Sequence, residues 1–254
     1  DIDSLEKISS GEYTYDSKEY ISFKKRLVDL CDSAVRNNVQ VLIDAEETWI
    51  QDAIDNVAIE LMQIYNRKSS VIFLTHQCYR TGTLSKIKKN LEVSKEKKYF
   101  YGIKLVRGAY MEKERNRAFQ NGYSSPIQPS KLSTDKEYNE SLKYSIQNID
   151  RASLWIGSHN EESSLYLINL MNDNNLRPQD KRIWLSQLYG MSDNISYALS
   201  SLGYNIVKLI PFGPIDKTIP YLIRRANENS SVKGQSNRQF TLIKKEINRR
   251  KNLN

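Results

Sequence analysis

The chain has 254 residues, a mass of 29.5 kDa and a formal net charge of +8, with 39% hydrophobic and 27% charged residues. That length suits one sizeable α/β domain, residues 1–254, and no apolar run approaches the ~20 residues needed to cross a bilayer, so a membrane-spanning protein is excluded. Two distant cysteines, Cys31 and Cys78, make no disulfide framework and read as buried free thiols of a reducing compartment.

The first residues, "DIDSLEKISSGEYTYD", lack the basic patch and apolar core of an export or transit peptide, and they lack an initiating Met, so upstream residues are expected. Residues 1–38 read as a helical N-terminal part. Six short apolar runs follow: "VQVLIDAE" (39–46), "SVIFLTHQ" (70–77), "YGIKLVRGAY" (101–110), "SLWIGSHN" (153–160), "RIWLSQL" (182–188) and "NIVKLIPFG" (205–213). Rich in β-branched residues and without polar alternation, they predict strands of a parallel sheet covered on both faces. Between them, "WIQDAIDNVAIELMQIYNR" (49–67) and "EESSLYLINLMNDNN" (161–175) space apolar residues three and four apart, as sheet-packed helices do. The irregular stretch "NGYSSPIQPSKLST" (121–134) is long for a connection, which marks it as functional or as a simple excursion.

Polar residues gather where each apolar run ends: Asp44 and Glu46, His76 and Gln77, Arg107 and Tyr110, His159 and Asn160, then Gln187. A (β/α)8 barrel puts its active site at those C-terminal strand ends. An open doubly wound sheet would normally carry a Gly-rich phosphate turn, and neither G-x-G-x-x-G nor G-K-[ST] occurs. The expected fold is therefore α/β, a (β/α)8 TIM-like barrel. Six strands are too few to close it, so one or two further N-terminal strands are expected upstream.

Near the end, "IPYLIRRANENSS" (219–231) predicts a helix over 217–229 on which Tyr221, Arg225 and Glu228 lie on successive turns, with Arg224 four residues before Glu228. Two guanidinium groups steadied by a carboxylate suit a bidentate grip on an anionic group, although the same spacing also occurs in surface ion-pair ladders. The apolar start "IPYLI" favours a helix packed on the protein. Beyond it, residues 233–254 carry seven Lys/Arg against Glu246, a net +6, read as a solvated terminal helix or as a contact to an anionic membrane or nucleic acid.

"YLIRRANENSS" resembles the signature of proline dehydrogenases, and it follows, in the family's order, "LIDAEET" (42–48), "THQCY" (75–79), "KLVRGAYMEKER" (104–115), "GYSSPIQPS" (122–130), "SHNEES" (158–163), "QLYGMSD" (187–193) and "GYNIVKLIPFGP" (203–214). The resemblance implies an FAD-dependent barrel that oxidises L-proline to Δ1-pyrroline-5-carboxylate, the first step of proline catabolism, and passes electrons to a quinone. It implies that Arg224 and Arg225 bind the substrate carboxylate, that Glu228 orients them, and that Tyr110, Leu188 and Tyr221 pack around the ring. Asp44 matches a residue that pairs with the arginine helix and helps close the site; Lys104 falls where many bacterial members place an arginine near flavin N5. Ala45, Val106, Arg107, Gly108, Ala109, Ser158, His159, Asn160 and Arg225 match cofactor contacts, with Lys131 on the adenosine side. The lack of a side chain at Gly108 would let the backbone approach the planar cofactor.

Leu74 stands where bacterial members often carry a flavin-touching glutamine, and Leu209 where many place a tyrosine near the substrate ring, which keeps hydroxyproline as an alternative substrate. The family's first-strand lysine has no counterpart before Asp44; it lies upstream, or the chain is impaired. A second reading, a metal-dependent barrel hydrolase, would use His76, His159, Asp44 and Glu46, although no H-x-H or H-E-x-x-H spacing occurs. Without the flavin enzyme, Asp44 and Glu46 would read as caps of the following helix. The basic tail alone supports a nucleic-acid module, so no nucleic acid and no metal are expected. The resulting placement is cytoplasmic or on the matrix side of mitochondria, with peripheral contact to the inner membrane through the tail.

Overall fold

The computed structural model describes residues 2–216, 218–223, 241, 244–245 and 247–251. In chain order the elements are α1 (Ile2–Ser9), α2 (Lys18–Arg36), β1 (Val41–Ile43), α3 (Thr48–Tyr65), β2 (Ile72–Gln77), α4 (Thr83–Glu96), β3 (Tyr101–Val106), α5 (Met111–Asn121), α6 (Lys131–Gln147), β4 (Ala152–Gly157), α7 (Glu161–Asp173), β5 (Ile183–Leu188), α8 (Asp193–Ser201) and β6 (Ile206–Leu209). Each of the six apolar runs holds one strand, and the sheet order is β1-β2-β3-β4-β5-β6, with parallel pairing from β1 through β5. Two compact units divide the chain, Asp1–Lys208 and Leu209–Asn254. In the second, residues 215–216 and 218–223 are helical, and Thr218 bonds back to the Pro214 carbonyl through both its N–H and its hydroxyl.

Strand alternation sorts the side chains into two layers. Ile72, Leu74, Tyr101, Ile103, Leu105, Ala152, Leu154, Ile156, Ile183 and Leu185 face the helices and are buried against residues such as Val57, Leu61, Leu91, Leu142 and Leu167. Phe73, Lys104, Trp155 and Trp184 share the other face, since register pairs Lys104 with Trp155 and Trp155 with Trp184. There Phe73 meets Trp155 edge-on at 6.2 Å between ring centres, and Trp155 stacks on Trp184 at 5.4 Å.

This second face is concave. Trp155 on β4 donates its indole N–H to the Gln40 side chain, just before β1, over 3.0 Å. Three inter-strand steps of about 4.8 Å would hold those strands about 14 Å apart in a flat sheet, so the bond requires the sheet to curl. β2 through β4 are covered on both faces as expected, whereas β1 is only half-buried, because among the described residues it is an edge strand paired with β2.

The stretch after α5 is an excursion of residues 122–130, shorter than the sequence suggested because α6 begins at Lys131. It is tied down: Ile127 bridges to Arg80, Thr81 N–H donates to Pro126 O at 2.9 Å and Gln128 N–H to Tyr79 O at 2.6 Å.

Candidate active site

Three polar groupings stand at the C-terminal ends of the strands. The first is on the concave face, where Thr75 and Lys104 are cross-strand partners. The Lys104 ammonium forms an ion pair with Asp44, and the Thr75 hydroxyl donates to the same carboxylate at 3.3 Å. The lysine stem is nearly covered while Asp44 is exposed, so the ammonium is carried up through the sheet interior to its rim.

The second grouping joins the loops after β1, β2 and β3. Gln77 donates through Nε2 to the Glu46 carbonyl at 2.7 Å and accepts through Oε1 from the Ala109 N–H at 3.1 Å. The Tyr110 hydroxyl donates to the Glu46 carboxylate. The third centres on Arg107. Its Nε donates to Asp135 at 2.7 Å, Nη1 to Ser158 at 3.1 Å and Nη2 to Ser163 at 2.9 Å, while the guanidinium lies 4.5 Å from the centre of the Tyr138 ring. Lys131 pairs with the other oxygen of Asp135. Partial burial alone would raise the Asp135 carboxyl, but the bonds from Lys131 and Arg107 outweigh it and hold its pKa below the ordinary value.

Arg107 and Lys131, both expected along a cofactor, are thus joined through Asp135, and Arg107 itself reaches the third such residue, Ser158. His159 shares a hydrogen bond of 2.9 Å with Ser192, and the Asn160 side chain caps α7 by accepting from the Ser163 N–H at 2.8 Å. Ala45 and Val106 are half-buried beside Asp44 and Lys104, and Leu188 ends β5. Tyr221 belongs to the helical residues 218–223 of the second unit. Arg224, Arg225 and Glu228, with residues 217 and 224–229 of the segment expected to be helical, lie outside the described residues.

Several expectations change. Gly108 has φ +135°, and a Cβ there would fall 2.3 Å from the Tyr79 ring, so its glycine is required by packing on Tyr79 as well as by backbone conformation. Leu74 is in the helix-facing layer and fully buried, on the side away from Thr75, which removes it from any ligand-facing position. Asp44 and Glu46 do not cap α3. Its N-cap, Glu47, makes no side-chain cap bond, and Glu114 of α5 takes that role, accepting from Thr48 N–H at 2.6 Å and from the Thr48 hydroxyl at 2.7 Å.

His76 leaves the supposed metal set for the same reason of parity: it shares the helix-facing side, buried, with Nε2 3.0 Å from the Tyr101 hydroxyl, and burial lowers its pKa to about 4. Among the described residues no group of three or more His, Cys, Asp or Glu side chains is placed to hold a metal ion. Thr75 and Asp135 were missed in the sequence; Thr75 carries no local signal, and although Asp135 stands four residues after Lys131 on α6, its bond to Arg107 comes from far along the chain.

The profile of the family described as proline dehydrogenase matches residues 2–238. The chain belongs to this family. It is 36% identical over 252 residues to proline dehydrogenase 1, mitochondrial, of Caenorhabditis elegans, covering 97% of this chain and 41% of that protein. It is also 36% identical over 230 residues to the hydroxyproline dehydrogenase of Xenopus laevis, covering 89% of this chain and 49% of the relative. The chain therefore spans between two fifths and half of these relatives. Among solved structures it resembles proline utilization A from Bdellovibrio bacteriovorus, inactivated by N-propargylglycine, with a TM-score of 0.78 at 24% identity over 85% of this chain and 22% of that one. That likeness establishes the fold, a curled parallel sheet with helices of the TIM-like barrel type, as expected from the spacing of the polar strand ends.

Proposed function

We propose that the protein oxidises L-proline to Δ1-pyrroline-5-carboxylate with FAD as cofactor and passes the electrons to a quinone. The observation that carries this reading is the Lys104 ammonium, held by Asp44 and Thr75 on the concave face at the C-terminal strand ends, in a chain of the proline dehydrogenase family. The donor chemistry fits FAD. An aromatic layer of Phe73, Trp155 and Trp184 fills the concave face on which the cation stands, and Ser158 and His159 offer polar groups at the rim. Bound there, FAD would supply the two-electron acceptor for the hydride that leaves the carbon next to the proline nitrogen, while that nitrogen gives up its proton.

Lys104 would supply positive charge where the reduced ring becomes electron-rich. Ala45, Val106, Arg107, Gly108, Ala109, Ser158, His159, Asn160 and Lys131 would line or support the cofactor. Tyr110, Leu188 and Tyr221 would enclose the substrate ring, and Asp44 would help close the site. By their match to the family signature, Arg224 and Arg225 would grip the carboxylate, with Glu228 orienting them. A low-dielectric site strengthens such a clamp relative to water.

A second substrate is favoured by one observation, Leu209 in place of the family's ring-side tyrosine, and the relative named hydroxyproline dehydrogenase is as similar as the proline one. The exposed helical basic residues Lys244, Lys245, Arg250 and Lys251 support peripheral contact with an anionic membrane, on the matrix side of mitochondria or in a bacterial cytoplasm. No nucleic-acid role is proposed.

Anaerobic addition of L-proline to the purified yellow protein is expected to bleach its flavin absorption, with trans-4-hydroxy-L-proline as the comparison. Arg225→Ala should lower kcat/KM for L-proline by a factor equivalent to about 2–5 kcal/mol, by analogy with the loss of one partner from a buried charge pair. Unchanged kinetics in that variant would remove the arginine helix from the substrate site.

A further inference from the structure

We infer that Glu46 is a positioning residue for substrate binding: it fixes the phenol of Tyr110 and, through its backbone, locks the loops that follow β1, β2 and β3 into one unit. The inference rests on the reading that Tyr110 packs against the substrate ring.

Tyr110 follows Gly108 and Ala109 and forms the N-cap position of α5, where its own side chain makes no cap bond. Its ring direction must therefore be set from elsewhere, and the Glu46 carboxylate accepts the phenol hydrogen bond. Glu46 is in turn held at both backbone groups. Its N–H donates to Gln51 Oε1 at 2.8 Å and its carbonyl accepts from Gln77 Nε2 at 2.7 Å. Gln77 closes the circuit, because its Oε1 accepts from Ala109 N–H, the residue next to Tyr110. Glu46, Gln77, Ala109 and Tyr110 thus form a ring of bonds through three consecutive strand ends.

Both anchors are themselves fixed. Gln77 is buried, and its carbonyl is taken by the Thr83 hydroxyl at 2.9 Å; Gln51 donates to Asp55 at 2.7 Å. A phenol bonded to a charged acceptor is oriented more firmly than one bonded to a neutral group, so the ring of Tyr110 is held before substrate arrives. Such preorganisation acts on binding more than on the chemical step.

The test is steady-state kinetics with L-proline on the full-chain flavoprotein, comparing wild type with Glu46→Ala, Glu46→Gln, Tyr110→Phe and the Glu46→Ala/Tyr110→Phe pair. Glu46→Ala is expected to raise KM about tenfold or more with a smaller change in kcat, the range set by loss of a hydrogen bond to a charged group. Glu46→Gln, whose amide carbonyl accepts the same bond, should recover most of that loss. In the Tyr110→Phe background Glu46→Ala should add little, because the group it acts through has gone.

Additive effects in the pair, or a wild-type KM in Glu46→Ala, overturn the inference. Should Glu46→Ala fail to fold, Glu46→Asp keeps the charge on a shorter stem and must raise KM as well; a wild-type KM there overturns it equally. Bleaching of the wild type by proline separates the two failures. If wild type bleaches and the variants match it, the role of Glu46 alone falls, whereas an unbleached wild type removes the proposed function and this inference with it.

Discussion

His76 shows how a strand's two faces give neighbouring residues opposite fates. Thr75 meets Asp44 on the concave face, while His76, one position on, is enclosed by helices against Tyr101. Burial is the largest influence lowering its pKa from 6.5 to about 4, with Asp55 acting in the opposite direction and Lys86 and Arg80 adding to the fall. The unfolded chain binds this proton below about pH 6.5 and the folded protein only near pH 4, so the contribution to stability is complete above pH 6.5 and is lost as pH falls toward 4. Between pH 7.5 and pH 5 that amounts to roughly 2 kcal/mol, and His76→Gln should remove that part of the pH dependence in urea unfolding. The histidine was visible in the sequence as a strand-end residue, but its side of the sheet was not. Assigning faces needs the register of each strand, and one position of slip exchanges them.

At the level of elements, the helix after β3 stabilises the N-terminal end of the helix after β1. The first turn of α3 receives its acceptor from Glu114 of α5, which is fully buried and bonds twice to Thr48. A carboxylate beside a helix N-terminus also gains from the helix dipole. Glu114→Ala should cost about 1–3 kcal/mol by leaving a half-buried N–H and hydroxyl without their acceptor, and Glu114→Gln should cost less, both measured by thermal or urea unfolding. The amphipathic patterns of α3 and α7 were legible within two residues at each end, because apolar spacing is a local property. The cap was not legible, since nothing near Thr48 in the chain announces a partner on another helix. The same holds for the bond between Asp135 and Arg107, which forms only once α6 lies beside β3, whereas the pairing of Asp135 with Lys131 is internal to α6.

For the whole molecule, the concave aromatic layer is the feature that sets the curl. Trp155 touches Phe73 and Trp184 and bonds to Gln40, joining β4 to the approach to β1. Trp155→Phe keeps a ring in the layer and loses the indole bond, with an expected cost of about 1 kcal/mol; Trp155→Ala empties the position and should cost about 3–5 kcal/mol in unfolding free energy. Six strands and a barrel-type sheet were readable from apolar runs ending in polar residues, whereas the bond that bends the sheet joins residues whose separation in sequence hides it. The strand order carries a further consequence. Partners such as Val41 with Ile72 and Leu74 with Ile103 come from successive β/α steps, so every added strand finds its neighbour already in place. Local topology of this kind keeps loop-closure entropy low and speeds folding. A nascent chain that has emerged past β4 already contains both Gln40 and Trp155, and the bend of the sheet can form before β5 and β6 leave the ribosome.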